Sequence, residues 1–281
     1  SQCMTKFKKG FGVYLLLNFE SSFLFSRQLL YIEIWKLCII GIEKHDPTQQ
    51  LQKVRKDIMT DQSLLYAKAH KKEFVDQVID GKNIAEYKTA VFMAGSPGAG
   101  KTEVATTLAG LSENICMIDA DEFRRRFPDY NGLNSSEFQK GSSWLVDHVF
   151  TFLLKKGYSF ILDGTFAIGK AEQNIERALK RDYLVTIYYI YQDPYVAWEF
   201  TRKREKAEGR FVPKERFINA YFKSRENIIK VKGKFGDLVE VNVIFKDYQN
   251  DITEIIENVQ ELDLVLPRSY TKKELEVNLH D

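Results

Sequence analysis

Residues 95–102 read Gly95-Ser96-Pro97-Gly98-Ala99-Gly100-Lys101-Thr102, a complete G-x-x-x-x-G-K-[ST] pattern. Its glycines let the backbone curl until several N–H groups converge on one anion. Lys101 can reach the terminal phosphates of a nucleotide, and the Thr102 hydroxyl can ligate Mg²⁺. These eight residues are the expected seat of ATP or GTP with Mg²⁺. Acids follow in Ile118-Asp119-Ala120-Asp121-Glu122-Phe123-Arg124 and in Leu162-Asp163-Gly164-Thr165. A carboxylate in such a place can take the proton of an attacking hydroxyl or serve the metal side of a nucleotide site. Asp163 joins Thr102 as the expected metal pair. Helix capping is the competing use of Asp119 or Asp121, and an Asp-Gly turn that of Asp163. Arg202, Lys203, Arg204, Lys206 and Arg210 crowd the stretch around Gly209. They could close onto a transferring phosphoryl group or simply form a solvated basic face.

Positioning these groups requires strands that end beside one another. From Thr89 onward, short apolar runs alternate with helical patterns. The strands expected are 90–94, 115–118, 159–162, 184–191 and 238–245. The helices between them are expected at 102–111, 143–155, 170–180, 194–206 and 214–231. Lys155-Lys156-Gly157 reads as a helix C-terminus, and Pro213 as a first-turn proline. The alternation predicts an α/β fold with a doubly wound, mostly parallel sheet. The phosphate loop then lies between the first strand and its helix, and the acids lie at strand ends, where open α/β sheets bind ligands. Residues 47–85 carry apolar positions near helical spacing (Leu51, Val54, Ile58, Phe74, Val75, Val78), and no strand pattern precedes Gly81.

Composition narrows the class further. The 281 residues are 44% hydrophobic and 28% charged, as in an ordinary globular protein. A net charge of +2 gives no support to a nucleic-acid partner. Tyr188, Tyr189 and Tyr191 lie in an apolar strand and read as core rather than as a base-stacking platform. Cys3, Cys38 and Cys116 are too scattered for a disulfide framework or a zinc site, and are read as reduced thiols of a cytoplasmic protein. Residues 1–42 are rich in large apolar side chains. Glu20, Arg27, Glu33 and Lys36 interrupt every run before the length a membrane span needs.

Taken jointly, the motifs resemble the zeta-toxin family of phosphate-loop kinases over about residues 90–246. The likeness rests on the phosphate loop, on Ile118-Asp-Ala-Asp-Glu-Phe-Arg124 with Pro128-Asp-Tyr130, and on Leu162-Asp-Gly-Thr165. It continues through Tyr191-Gln-Asp-Pro194, Trp198 and Arg204-Glu-Lys-Ala-Glu-Gly-Arg210-Phe-Val-Pro213. The resemblance implies transfer of the ATP or GTP γ-phosphoryl group to a nucleotide sugar, typically the 3′-hydroxyl of UDP-N-acetylglucosamine. It makes Asp121 the general base, and Lys101, Arg204 and Arg210 the stabilising cations. Asp119, Phe123, Arg124, Asp163 and Thr165 are placed with the substrate, beside Pro128 and Tyr130. The family's Glu-Gly-Thr-x-Arg segment falls on Asp163-Gly164-Thr165-Phe166-Ala167, so the acid is shorter and the arginine is replaced by Ala167. That departure leaves open another small-molecule acceptor, and a nucleotide-hydrolysing switch is the rival from outside the kinases. The resemblance also implies an antitoxin partner, either in trans or in cis as residues 1–85. Residues 86–281 are then the kinase domain.

Overall fold

The computed structural model describes Asp57 and residues 62–209, 211–267 and 269–280. The chain divides into two compact units, Ser1–Met59 and Thr60–Asp281, and the fold described here is that of the second. The expectations for residues 1–56 and for Arg210 lie outside the described residues.

Six strands form one sheet. They are β1 (Thr89–Ala94), β2 (Cys116–Asp119), β3 (Phe160–Asp163), β4 (Leu184–Tyr191), β5 (Val239–Lys246) and β6 (Ile252–Ile256). The order is β2-β3-β1-β4-β5-β6. The first five pair in parallel, and β6 runs antiparallel along β5. Strand β1 is buried on both faces because both carry helices. Ala90, Phe92 and Ala94 point to the larger core, with Phe150 and Phe160 edge-on to Phe92. Val91 and Met93 point to a smaller core shared with Val104 and Ala105.

The helices are residues 62–69 (α1), Lys71–Val78 (α2), Lys101–Gly110 (α3), Ala120–Arg125 (α4) and Gln139–Lys156 (α5). After them come Ala171–Leu179 (α6), Pro194–Glu208 (α7), Lys214–Phe235 (α8), Leu262–Val265 (α9) and Lys272–Asn278 (α10). The chain leaves β1 toward β2, then crosses from β3 over β1 to β4. This reversal places a crevice at the carboxyl end of β1, where ligands of open α/β sheets bind.

Helices α1 and α2 belong to this unit's core. Ala67, Phe74 and Val75 are buried in it, Phe74 lies edge-on to Phe123 at 5.6 Å, and the Gly141 N–H donates to Ser63 Oγ at 3.2 Å. Truncating one such buried Phe costs about 3–5 kcal/mol, so residues 62–80 stabilise the sheet domain. Among the described residues, no helix is long and apolar enough to cross a membrane. Cys116, buried at the start of β2, has its thiol pushed up to about 11 by that burial.

Candidate functional site

The phosphate loop leaves β1 at Gly95, whose N–H donates to the Thr165 carbonyl at 3.3 Å. Gly100 caps α3 in the left-handed region at φ 82°, a conformation a side chain resists. Lys101 is 9% exposed and folds back over the loop, donating from Nζ to Ser96 O at 2.6 Å. Ser96 and Ala99 are buried beneath it. The open backbone and the start of α3 together present the N–H groups and partial positive charge that bind phosphate.

Strands β2 and β3 end in register, with Asp119 opposite Asp163. Thr102 Oγ1 donates to Asp163 Oδ2 at 2.7 Å, which ties the first turn of α3 to the end of β3. Burial raises the Asp163 pKa above the ordinary carboxylate value; the Thr102 hydrogen bond and the Lys101 charge pull it down, while Asp121 adds to the rise. Between its unfolded and folded pKa values the native state therefore holds the extra proton, so stability falls as pH climbs through that window. Ionising Asp163 is thus a cost to the fold. Asp163→Asn is expected to raise the melting temperature of the ligand-free protein at pH 7 and to abolish any further rise on adding Mg²⁺ with nucleotide. Differential scanning fluorimetry with and without Mg²⁺ measures both.

Mg²⁺ suits this pair. A hydroxyl and one carboxylate are hard oxygen donors, and magnesium sites use few protein ligands because phosphates and water supply the rest. Among the described residues no cluster of three or more His, Cys, Asp or Glu side chains could hold a metal by itself. A cation here would also offset the charge that burial penalises at Asp163.

Asp119 is expected with the substrate; the structure makes it the N-cap of α4, its Oδ1 accepting from the Asp121 N–H at 2.8 Å. That cap fixes the first turn from which Asp121 projects. Arg124, three residues on, pairs with Asp121 Oδ1 and donates from Nη2 to Gln139 Oε1 at 2.7 Å. Its side chain is only 8% exposed against 18% for Asp121. Arg124 thus holds the carboxylate from below. Phe123, also expected in the acceptor pocket, is instead a core residue at 2% exposure; its ring supports α4 against α2. Thr165 braces the loop after β3: its carbonyl accepts from Gly95, and its hydroxyl accepts from the Ala167 N–H at 3.3 Å. Phe166 adopts φ 58°, and Asn227 of α8 donates to its carbonyl at 2.7 Å and to that of Ile168 at 3.1 Å.

Arg204 comes from α7, with Nη2 3.8 Å from Asp121 Oδ2. Its neighbour Arg202 pairs with Glu205 and lies over the Trp198 ring at 5.5 Å. The N-terminal half of α7 also backs the phosphate loop. A Cβ at Gly98 would meet the Ala197 carbonyl and stand 2.6 Å from Thr201 Oγ1. Sequence patterns did not single out Thr201, nor Lys246 and Asn250 at the end of β5. The readable signal for the last two was their place after an apolar strand, in Lys246-Asp-Tyr-Gln-Asn250.

Phosphate loop, acid-bearing strand ends and an arginine helix define an α/β phosphate-loop protein. A family model described as Zeta toxin matches residues 75–261. This is well over half of the chain, and the chain belongs to that family. Toxin zeta of Enterococcus hirae is 26% identical over 100 residues, which cover 32% of this chain and 35% of that protein. Toxin zeta of Streptococcus pyogenes is also 26% identical over 100 residues, covering 32% and 34%. The match thus spans about a third of the length of these curated relatives. A solved structure from the PezAT chromosomal toxin-antitoxin system of Streptococcus pneumoniae is similar in fold, with a TM-score of 0.56 and 18% identity over 75% of this chain and 91% of that one.

Proposed function

We propose that this chain is a kinase that transfers the γ-phosphoryl group of a purine nucleoside triphosphate to a hydroxyl of a small metabolite, as the toxin of a toxin-antitoxin pair. The observation that carries this reading is the convergence of Asp121 and Arg204 beside a phosphate loop whose Thr102 is bonded to Asp163. In this reading Asp121 takes the proton of the attacking hydroxyl. Lys101 and Arg204 stabilise charge spread over the transferring phosphoryl group, and Arg210 is proposed to act with them. Mg²⁺, held by Thr102 and Asp163, would supply charge neutralisation between the phosphates when bound. Arg124 acts through Asp121 as a positioning residue.

UDP-N-acetylglucosamine is the first acceptor to test, because family membership favours a nucleotide sugar. Ala167 argues for testing others beside it. The assay incubates the full chain with ATP, Mg²⁺ and a panel of nucleotide sugars and other hydroxylated metabolites, read by mass spectrometry. A gain of about 80 Da, one phosphoryl group, on one acceptor is the expected result. ADP release with no acceptor modified would overturn the kinase reading in favour of nucleotide hydrolysis.

Residues 1–59 form the separate unit, and we propose an antitoxin-like, inhibitory role for the N-terminal segment in cis. The matching truncation starts at Thr60, because removing residues through 85 would strip Phe74 and Val75 from the core. Turnover by residues 60–281 equal to that of the full chain would overturn the inhibitory role.

A further inference from the structure

Asp121 meets two arginines from different elements, and they hold it differently. Arg204 of α7 stands off, with Nη2 3.8 Å from Oδ2. Arg124 is in direct contact, its Nη1 paired with Oδ1 from three positions along the same chain segment. A guanidinium presents its N–H groups as a fork, and its strongest grip on a carboxylate is two-pronged, one nitrogen to each oxygen. A carboxylate gripped in that way turns both oxygens toward one cation and away from an incoming hydroxyl.

In this protein the Arg124 grip is one-pronged. Its second nitrogen, Nη2, donates instead to Gln139 Oε1 at 2.7 Å. Gln139 is half-buried and opens α5. Its amide cannot be turned round: an arginine only donates, so the amide must show it oxygen. The other end is tied as well, with Nε2 donating to Ser143 Oγ at 2.8 Å one turn along α5. The Arg124 side chain is only 8% exposed, and its Nε is already buried without a hydrogen-bond partner. An unmet N–H in such a place costs free energy. If Gln139 were also lost, the guanidinium would gain by turning Nη2 onto the second oxygen of Asp121.

We propose that Gln139 is a positioning residue for Asp121. It draws Nη2 of Arg124 away from the carboxylate, which leaves Oδ1 pinned and Oδ2 on the Arg204 side of the site. The proposal rests on the general-base role given to Asp121 in the kinase reading above. Both hydrogen bonds of the Gln139 amide run to Arg124 and Ser143, so its influence on the chemistry passes through Arg124.

The test is a double-variant cycle on the full chain. Gln139→Met keeps the length of the side chain and loses the acceptor. With ATP, Mg²⁺ and UDP-N-acetylglucosamine it is expected to lower kcat by about ten- to a hundredfold, the worth of a hydrogen bond to a charged group. ATP binding by calorimetry should stay within about twofold of the wild type. Gln139→Glu still offers Nη2 an acceptor and should recover most of the lost turnover. In an Asp121→Asn background, Gln139→Met should cost no further turnover, because no base is left to misplace. Melting temperatures of the same four proteins supply a readout that needs no turnover. Gln139→Met should lower melting more in the Asp121→Asn background, where no second carboxylate oxygen can take the freed Nη2. An undiminished kcat in Gln139→Met, or an equal loss of kcat in both backgrounds, would overturn the proposal. Equal melting losses in both backgrounds would overturn it too. A wild type that does not phosphorylate the nucleotide sugar counts against the kinase reading instead, and the melting cycle still decides whether Gln139 reaches Asp121.

Discussion

Asp121→Asn is expected to lower phosphoryl transfer by about 10²- to 10⁴-fold, the usual contribution of a positioned general base, while ATP binding stays within about twofold. The substitution is nearly isosteric. The Asn carbonyl oxygen can still accept from Arg124, which is anchored independently on Gln139, so α4 keeps its place and melting should barely change. What is removed is the negative oxygen facing the reaction, together with the charge that answers Arg204 across 3.8 Å. Product formation by mass spectrometry and nucleotide affinity by calorimetry separate the two effects. Equal ADP release by both proteins would show that the carboxylate takes no proton in the chemistry, and would sink the role assigned to it.

Among the described glycines, Gly98→Ala should be the most damaging single added methyl group. Gly98 has φ 75°, where a side chain costs about 1–2 kcal/mol. The added carbon would also be driven into the Ala197 carbonyl and to 2.6 Å from Thr201 Oγ1. Neither is the loose end of a flexible chain, because Thr201 is 4% exposed and bonds back to Ala197 O at 2.9 Å. Overpacking of this kind adds about 1–3 kcal/mol. A loss of about 3 kcal/mol in all, or roughly 6–12 °C in melting temperature, is expected. Nucleotide binding should disappear with it, because the loop can relieve the clash only by leaving its curl. A variant that melts normally and binds ATP would show that the loop does not lean on α7.

The architecture was legible wherever period and punctuation agreed. β4 and the start of α8 behind Pro213 fall where expected, and the other four expected strands lie within one residue of their observed ends. β6 escaped because it is a five-residue edge strand with four exposed residues, so no buried face imposes a pattern on it. α10 was not expected either, although Thr271 and Glu274 form a capping box, the spacing that marks a helix start. At the site, spacing located the loop, the hydrogen-bonded Thr102 and Asp163 and the acids, because each lies within a few residues of its own strand. Which acid caps a helix and which meets Arg124 and Arg204 depended on the geometry of one turn. Phe123 is apolar and sits inside a motif, and only the packing of Phe74 against it reveals a core role. Lys246 and Asn250 reach the loop from a strand some 150 residues away in the chain, a neighbourhood that comes from sheet order rather than local sequence.

The helix that leans on Gly98 is also the one that carries Arg204. Ala197 and Arg204 lie seven positions apart on one unbroken α7, roughly 10 Å along its axis at 1.5 Å per residue. The helix is a beam with a foot under the loop and an arm over the acid. Loop and arginine therefore share one support, and a change in the packing at Gly98 has a rigid path to Arg204.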